Sequence, residues 1–278
     1  MIRIATLCQT HFPLSQQQAL HSRNTPAPLD ILCCRIRHEE DQDGQHSVRN
    51  LAASLQMACS STLIAGPDSN RPSQQGRQGR SVLSILTGKG VWVLNSGSIT
   101  VDVAVELGPQ TKERVQFALV RKGAAAVLVL HLHHDGPRRE RQALVRALFD
   151  HQLLKERQYR AVILCSRRHL RLSRTEAAQL MTGTGFMLHS NLKHELRGAG
   201  AMMLCVAREY GLAGVELDSR ESALLLSAEG DAETGLPALV CAVQVQAASR
   251  KPGRKPHYPL SFAEQWAGYK EHFRPTAL

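Results

Sequence analysis

The stretch His131-Leu132-His133-His134-Asp135 holds side chains that could ligate a metal. On a strand His131 and His133 share a face, so two imidazoles are able to reach one ion. No third ligand is identifiable from the sequence, and the plainer expectation is a strand end running into a solvated turn. Seven cysteines (Cys8, Cys33, Cys34, Cys59, Cys165, Cys205 and Cys241) make an odd count, and no CxxC pair offers zinc or redox spacing. Most lie in apolar runs such as ILCC, VILCS and ALVCAV, where a free thiol acts as a small hydrophobe. Arginines cluster at Arg138, Arg139 and Arg141, and again at Arg167, Arg168, Arg171 and Arg174. A third basic group is Arg250, Lys251, Arg254 and Lys255. Such groups hold phosphates or simply keep a surface soluble. The glycines of GRQGR match neither a P-loop nor a dinucleotide fingerprint.

Those residues need elements to position them. Ile2 to Cys8, Leu29 to Ile36, Ser60 to Ala65 and Arg160 to Cys165 are apolar runs of strand length. So are Ala199 to Val206 and Leu236 to Val245. Between them SVLSIL, VWVLNSG, ITVDVAVEL, VQFALVR and AAAVLVLHL read as sequential strands of one sheet. Val48, Leu51 and Leu55 recur with helical spacing, predicting a helix over 46–57. Arg139 to Leu154 is amphipathic, with Leu144, Leu148 and Val145 turned inward. Ser173 followed by Glu176 forms a capping box, predicting a helix to about Thr182. Residues 66–80 form a Gly-, Pro-, Ser- and Gln-rich loop. Strands dominate and helices interleave, which favours two packed sheets with outer helices over a doubly wound parallel sheet.

The 278 residues, 43% of them hydrophobic, suffice for one large domain. We assign it to 1–246. Residues 247–278 are a basic, Pro-containing tail with a short amphipathic helix that carries Phe262, Trp266, Tyr269 and Phe273. A formal charge of +10 favours polyanionic partners. No stretch approaches the roughly 20 apolar residues that span a bilayer. With its reduced thiols, the chain is expected in the cytoplasm.

The order of these runs resembles the endonuclease/exonuclease/phosphatase superfamily, the DNase I-like fold. IRIATLC resembles the opening strand, LDILCCRI the second and NLAASLQM the helix after it. GRSVLSI resembles a strand that usually starts Gly-Asn. VLVLHLHHDG with RRERQALVRAL resembles a strand ending in His-Leu and its following helix. AVILCSRRHL resembles the strand that normally ends Gly-Asp-Phe-Asn. AGAMMLCV resembles the strand carrying an Asp near its start, and TGLPALVCAVQV the last strand, which normally begins Ser-Asp-His. The resemblance implies a four-layer α/β/β/α sandwich of two packed mixed sheets.

Enzymes of this kind cut phosphoesters with a hard divalent cation on carboxylate oxygens, assisted by a His–Asp pair. The resemblance puts Cys8 in the first Asn slot and Ile36 in the metal-binding Glu slot, beside Arg35. Arg80 takes the Gly-Asn slot, and Ser166 and Arg168 the Asp and Asn slots. Ala201 takes the next Asp slot, and Gly235 and Leu236 (or Thr234 and Gly235) the terminal Asp-His slots. Only His131 is retained. Acids are missing and guanidinium groups are added, so a cation is expected to bind poorly.

The expectation is a catalytically inactive protein of this fold, with no cofactor. It would bind nucleic acid, a phosphorylated ligand or a protein partner, with Arg80, His131, Arg167, Arg168 and Arg171 as candidate phosphate contacts. One alternative is a metal-dependent phosphodiesterase with an atypical site around His131, aided by Cys8 or Cys165 as a thiolate and using Mg²⁺. The other is a structural subunit docked through the C-terminal tail.

Overall fold

Apolar runs of eight residues with few polar interruptions can be buried on both faces, and here they are. In the computed structural model these runs form strands, numbered in chain order. They are β1 (Ile2–Gln9), β2 (Ile31–His38), β3 (Ala58–Ala65), β4 (Arg80–Thr87), β5 (Trp92–Val103) and β6 (Thr111–Lys122). The series continues with β7 (Ala125–Leu132), β8 (Ala161–Ser166), β9 (Phe186–Lys193), β10 (Ala201–Ala207), β11 (Val215–Asp218) and β12 (Ala238–Val245). The helices are α1 (Gly44–Ser54), α2 (Arg138–Asp150), the short α3 (Gln152–Lys155) and α4 (Arg174–Met181). The structure describes residues 2–9, 29–38, 44–65, 80–104, 110–123, 125–132, 138–155, 159–166, 174–193, 201–207, 215–218 and 238–245. All lie in the first of the chain's two compact units, Met1–Ala247. The predicted tail and its helix lie outside the described residues.

Among the described residues the strands make two six-stranded sheets, ordered β11-β12-β1-β2-β4-β3 and β5-β6-β7-β8-β10-β9. Each is mixed: β1 runs parallel to β2, and β7 parallel to β8, while the other pairs are antiparallel. The sheets pack face to face. Ile2, Ile4, Ile31, Cys33 and Ile85 of the first share one buried cluster with Val129, Ile163, Cys165, Met202 and Leu204 of the second. The alternate residues face outward. Leu32, Cys34, Ile36, Val82 and Leu86 pack with Val48 and Leu51 of α1. On the other side α2 packs along β5, and α4 along β9. The expected four-layer α/β/β/α sandwich is present. Leu144, Val145, Leu148 and Phe149 are the buried stripe of α2, and Phe149 meets Phe186 of β9 edge-on at 5.2 Å.

One expectation is overturned. SVLSIL, VWVLNSG and the runs after them are not strands of one sheet: β4 belongs to the first sheet and β5 to the second. VWVLNSG and ITVDV are also one continuous strand, with a register shift between Val93 and Asn95. The crossing is made at Gly88–Val91. Gly88 N–H still donates to Asp30 O at 2.8 Å, extending the first sheet, and Val91 N–H then donates back to Gly88 O at 3.3 Å. A side chain at Gly88 would collide with the carbonyl of Leu29, so only glycine permits this approach. Beyond it Gly90 takes φ +85°, a left-handed conformation.

The sheet edges β3 and β5 meet through hydroxyls. Ser96 Oγ donates to Ser60 O at 2.7 Å, and Ser61 Oγ donates to Gly97 O at 3.2 Å. These bonds occupy edge carbonyls that would otherwise invite another strand.

Candidate functional site

Strand alternation decides which residues look between the sheets. Cys33 lies in the inter-sheet cluster, so Arg35, two residues on, shares its side. By the same parity Val129 carries His131 inward, and Ala118 carries Gln116 inward. All three polar side chains are buried: Arg35 is 7% exposed, His131 2% and Gln116 0%.

Register brings them to one level of the sandwich. In the first sheet Arg35 lies opposite Cys8 on one side and Leu83 on the other. In the second, Gln116 pairs with His131, His131 with Cys165, and Cys165 with Met202. The two halves are joined by Gln116 Nε2, which donates to Leu83 O at 3.1 Å across the gap. The result is a polar layer capping an otherwise apolar inter-sheet core. Among the described residues Gln116 Oε1 is a buried acceptor with no hydrogen-bond donor.

The slots assigned from sequence fare unevenly. His131 is on the inter-sheet side. Ile36 is not: it is 2% exposed and packs outward with Val48 and Leu51 of α1. Its neighbour Arg35 is the residue of that strand end that looks between the sheets. Ser166 and Ala201 pair with each other, and parity turns both to the helical side, whereas Cys165 and Met202 face inward. Cys8 lies on β1 in register with Arg35, and Arg80 opens β4 opposite His38. Arg167, Arg168, Arg171, Gly235 and Leu236 lie outside the described residues, as do His133, His134 and Asp135. Sequence reasoning passed over Arg35 and Gln116. The signal was present: each is a polar residue at an inward parity inside an apolar run.

The chemistry of this layer differs from that of a metal centre. A hard divalent cation takes oxygen ligands, mostly carboxylate. The layer offers a guanidinium, an amide and an imidazole. Among the described residues no group of three His, Cys, Asp or Glu is placed to share an ion. The buried acid among them, Asp30, is at the opposite end of β2. There its oxygens accept from Lys122 Nζ at 2.6 and 2.7 Å, and one also accepts from Arg3 N–H at 2.8 Å. These residues do not fit a catalytic divalent metal.

The thiols of the inter-sheet cluster are shut away from solvent. Cys165 and Cys33 are both fully buried and free. Hydrogen bonding to Cys165 and burial hold the Cys33 thiol well above its ordinary pKa, in the unreactive neutral form. Burial raises Cys205 likewise. The arginine cluster at the start of α2 is divided. Arg141 is buried, while Arg139 lines a cavity of about 810 Å³ outside the second sheet. Asp102, Asp150 and Glu176 share that cavity with Arg139, Arg146 and His151, so its charge is mixed.

No protein-family model matches this chain, and no curated protein matches it. Solved structures do. A functionally unknown conserved protein from Enterococcus faecalis V583 aligns over 88% of this chain and 100% of its own, at 16% identity and a TM-score of 0.50. An endonuclease/exonuclease/phosphatase from Beutenbergia cavernae DSM 12333 aligns over 89% of this chain and 72% of its own, at 10% identity and a TM-score of 0.51. The architecture is therefore that of the endonuclease/exonuclease/phosphatase fold. Among the described residues no helix is long and apolar enough to cross a membrane.

Proposed function

We propose that this chain is a non-catalytic protein built on the endonuclease/exonuclease/phosphatase fold, and that its inter-sheet cleft recognises a phosphate-bearing ligand through Arg35. The carrying observation is the place of Arg35 on β2, on the inter-sheet side by parity and in register with the level of His131. Enzymes of this fold use a cation to meet phosphate charge. Here the cation is covalently part of the chain. Arginine stays charged at any pH a protein tolerates, and its forked donors match phosphate oxygens. Binding needs a fixed positive charge, and Arg35 carries one. Hydrolysis also needs an activated water, and a guanidinium does not generate one as a bound metal ion does. Gln116 and His131 fix the opposite wall. The buried free thiols Cys33, Cys34, Cys165 and Cys205 support a reducing compartment such as the cytoplasm.

Binding of pyrophosphate, measured by calorimetry, tests this. Arg35→Gln should weaken it by about tenfold or more, in line with loss of a charge-assisted hydrogen bond. Arg35→Lys, which keeps the charge, should retain part of the affinity. Thermal melts check that each variant is folded. Wild-type affinity in folded Arg35→Gln would remove the proposal.

A further inference from the structure

The far end of the sandwich carries a feature that the cleft does not use. Trp92, the first residue of β5, is 72% exposed. Indole is the costliest side chain to leave in water, and a ring this open on a strand is a surface for something flat. Its surroundings are cationic. Arg121 is directly opposite Trp92 on β6, so the two side chains share a face of the sheet. Arg121 is exposed, and its Nε–H donates to Gly123 O at 3.0 Å, which holds the chain at the hairpin end. Lys89, also exposed, stands three residues before Trp92 in the Gly88–Gly90 turn. The backbone beneath is fixed by the Gly88–Asp30 bond and by the Asp30–Lys122 ion pair. These contacts anchor the strand ends that carry Trp92 and Arg121.

We propose that Trp92, flanked by Lys89 and Arg121, is a stacking platform for single-stranded nucleic acid. Every base has a π-face, so one exposed indole accepts any of them, and adjacent cations meet the phosphates on either side. Among the described residues the other exposed large hydrophobic is Val93, at 39%, which is too little apolar area to anchor in a lipid surface. A protein partner would need an apolar patch of several residues at the centre of its footprint. A lone ring with one cation opposite it on the sheet and another in the adjoining turn matches neither as well as it matches a base between two phosphates. This surface is separate from Arg35, and the inference does not rest on the cleft.

The chain has two tryptophans, Trp92 and Trp266, so Trp266→Phe leaves Trp92 as sole reporter. That full-length variant is titrated with an oligodeoxythymidine of about twelve nucleotides, within the usual site sizes. The expected result is water-exposed indole emission in the free protein, quenched by the oligonucleotide, with affinity falling as salt rises. Lys89→Ala with Arg121→Ala should weaken binding about tenfold. Arg35→Gln should leave the Trp92 quench unchanged, which separates this site from the cleft. The proposal is overturned if the oligonucleotide gives no quench. A blue shift with anionic phospholipid vesicles in place of nucleic acid would assign the surface to membranes. Buried-type emission in the free protein would show that the chain itself covers the ring. Equal competition by inorganic polyphosphate of similar length would show that charge acts without stacking.

Discussion

Arg35 and Ile36 are adjacent in sequence and opposite in role. Ile36 is buried between β2 and α1. Ile36→Ala should cost about 2–4 kcal/mol in urea denaturation, through lost contacts and a cavity, and leave phosphate binding intact. Ile36→Glu should be worse, because it places a carboxylate in an apolar cluster, and it should confer no metal affinity. Arg35→Glu, by contrast, directs a carboxylate between the sheets. A cleft-facing Ile36 would reverse these outcomes. The contrast also marks the limit of what the sequence discloses. The strand and its apolar character were legible from ILCCRI. The facing of its last two residues was not, because matching slots by order tolerates a one-residue error and strand alternation does not. Parity likewise turns Ser166 and Ala201 to the helical side. His131 was legible because it is the single polar residue of its strand. Gln116 was overlooked because one amide within VQFALV resembles an ordinary surface residue until the opposite sheet is in place.

At the scale of elements, the ends of β2, β4 and β6 are tied together by Asp30. Its carboxylate accepts from Lys122 and from Arg3 N–H, and its carbonyl accepts from Gly88 N–H. Asp30→Ala should therefore cost about 3 kcal/mol, read from the urea midpoint, since it removes charge-assisted bonds to a buried acceptor. A loss below about 0.5 kcal/mol, the level of an ordinary surface change, would show that the brace carries no load. Sequence patterns located most strands and helices but could not see this brace, which joins residues 92 positions apart. For the same reason β4 and β5 read as sequential strands of one sheet. Two apolar runs joined by a Gly-containing turn look alike locally whether they pair or part. The deciding facts are the contacts of Gly88 with Leu29 and Asp30, which are distant in sequence. Strands β9 and β11 also escaped notice. The mixed polarity of FMLHSNLK and the four residues of VELD carry no clear alternation.

At the scale of the whole molecule, the layered order of strands and helices was readable because burial on both faces leaves near-continuous apolar runs. The net charge of +10 was readable too, and it fits the two phosphate-binding surfaces proposed above. If Arg35 stands where an enzyme of this fold would keep its cation, the protein holds no divalent ion. Titration of the full-length protein with Mn²⁺, followed by electron paramagnetic resonance alongside a phosphodiester turnover assay, should then show no saturable manganese site and no manganese-dependent turnover. One ion held stoichiometrically, with hydrolysis that tracks its occupancy, would contradict that placement.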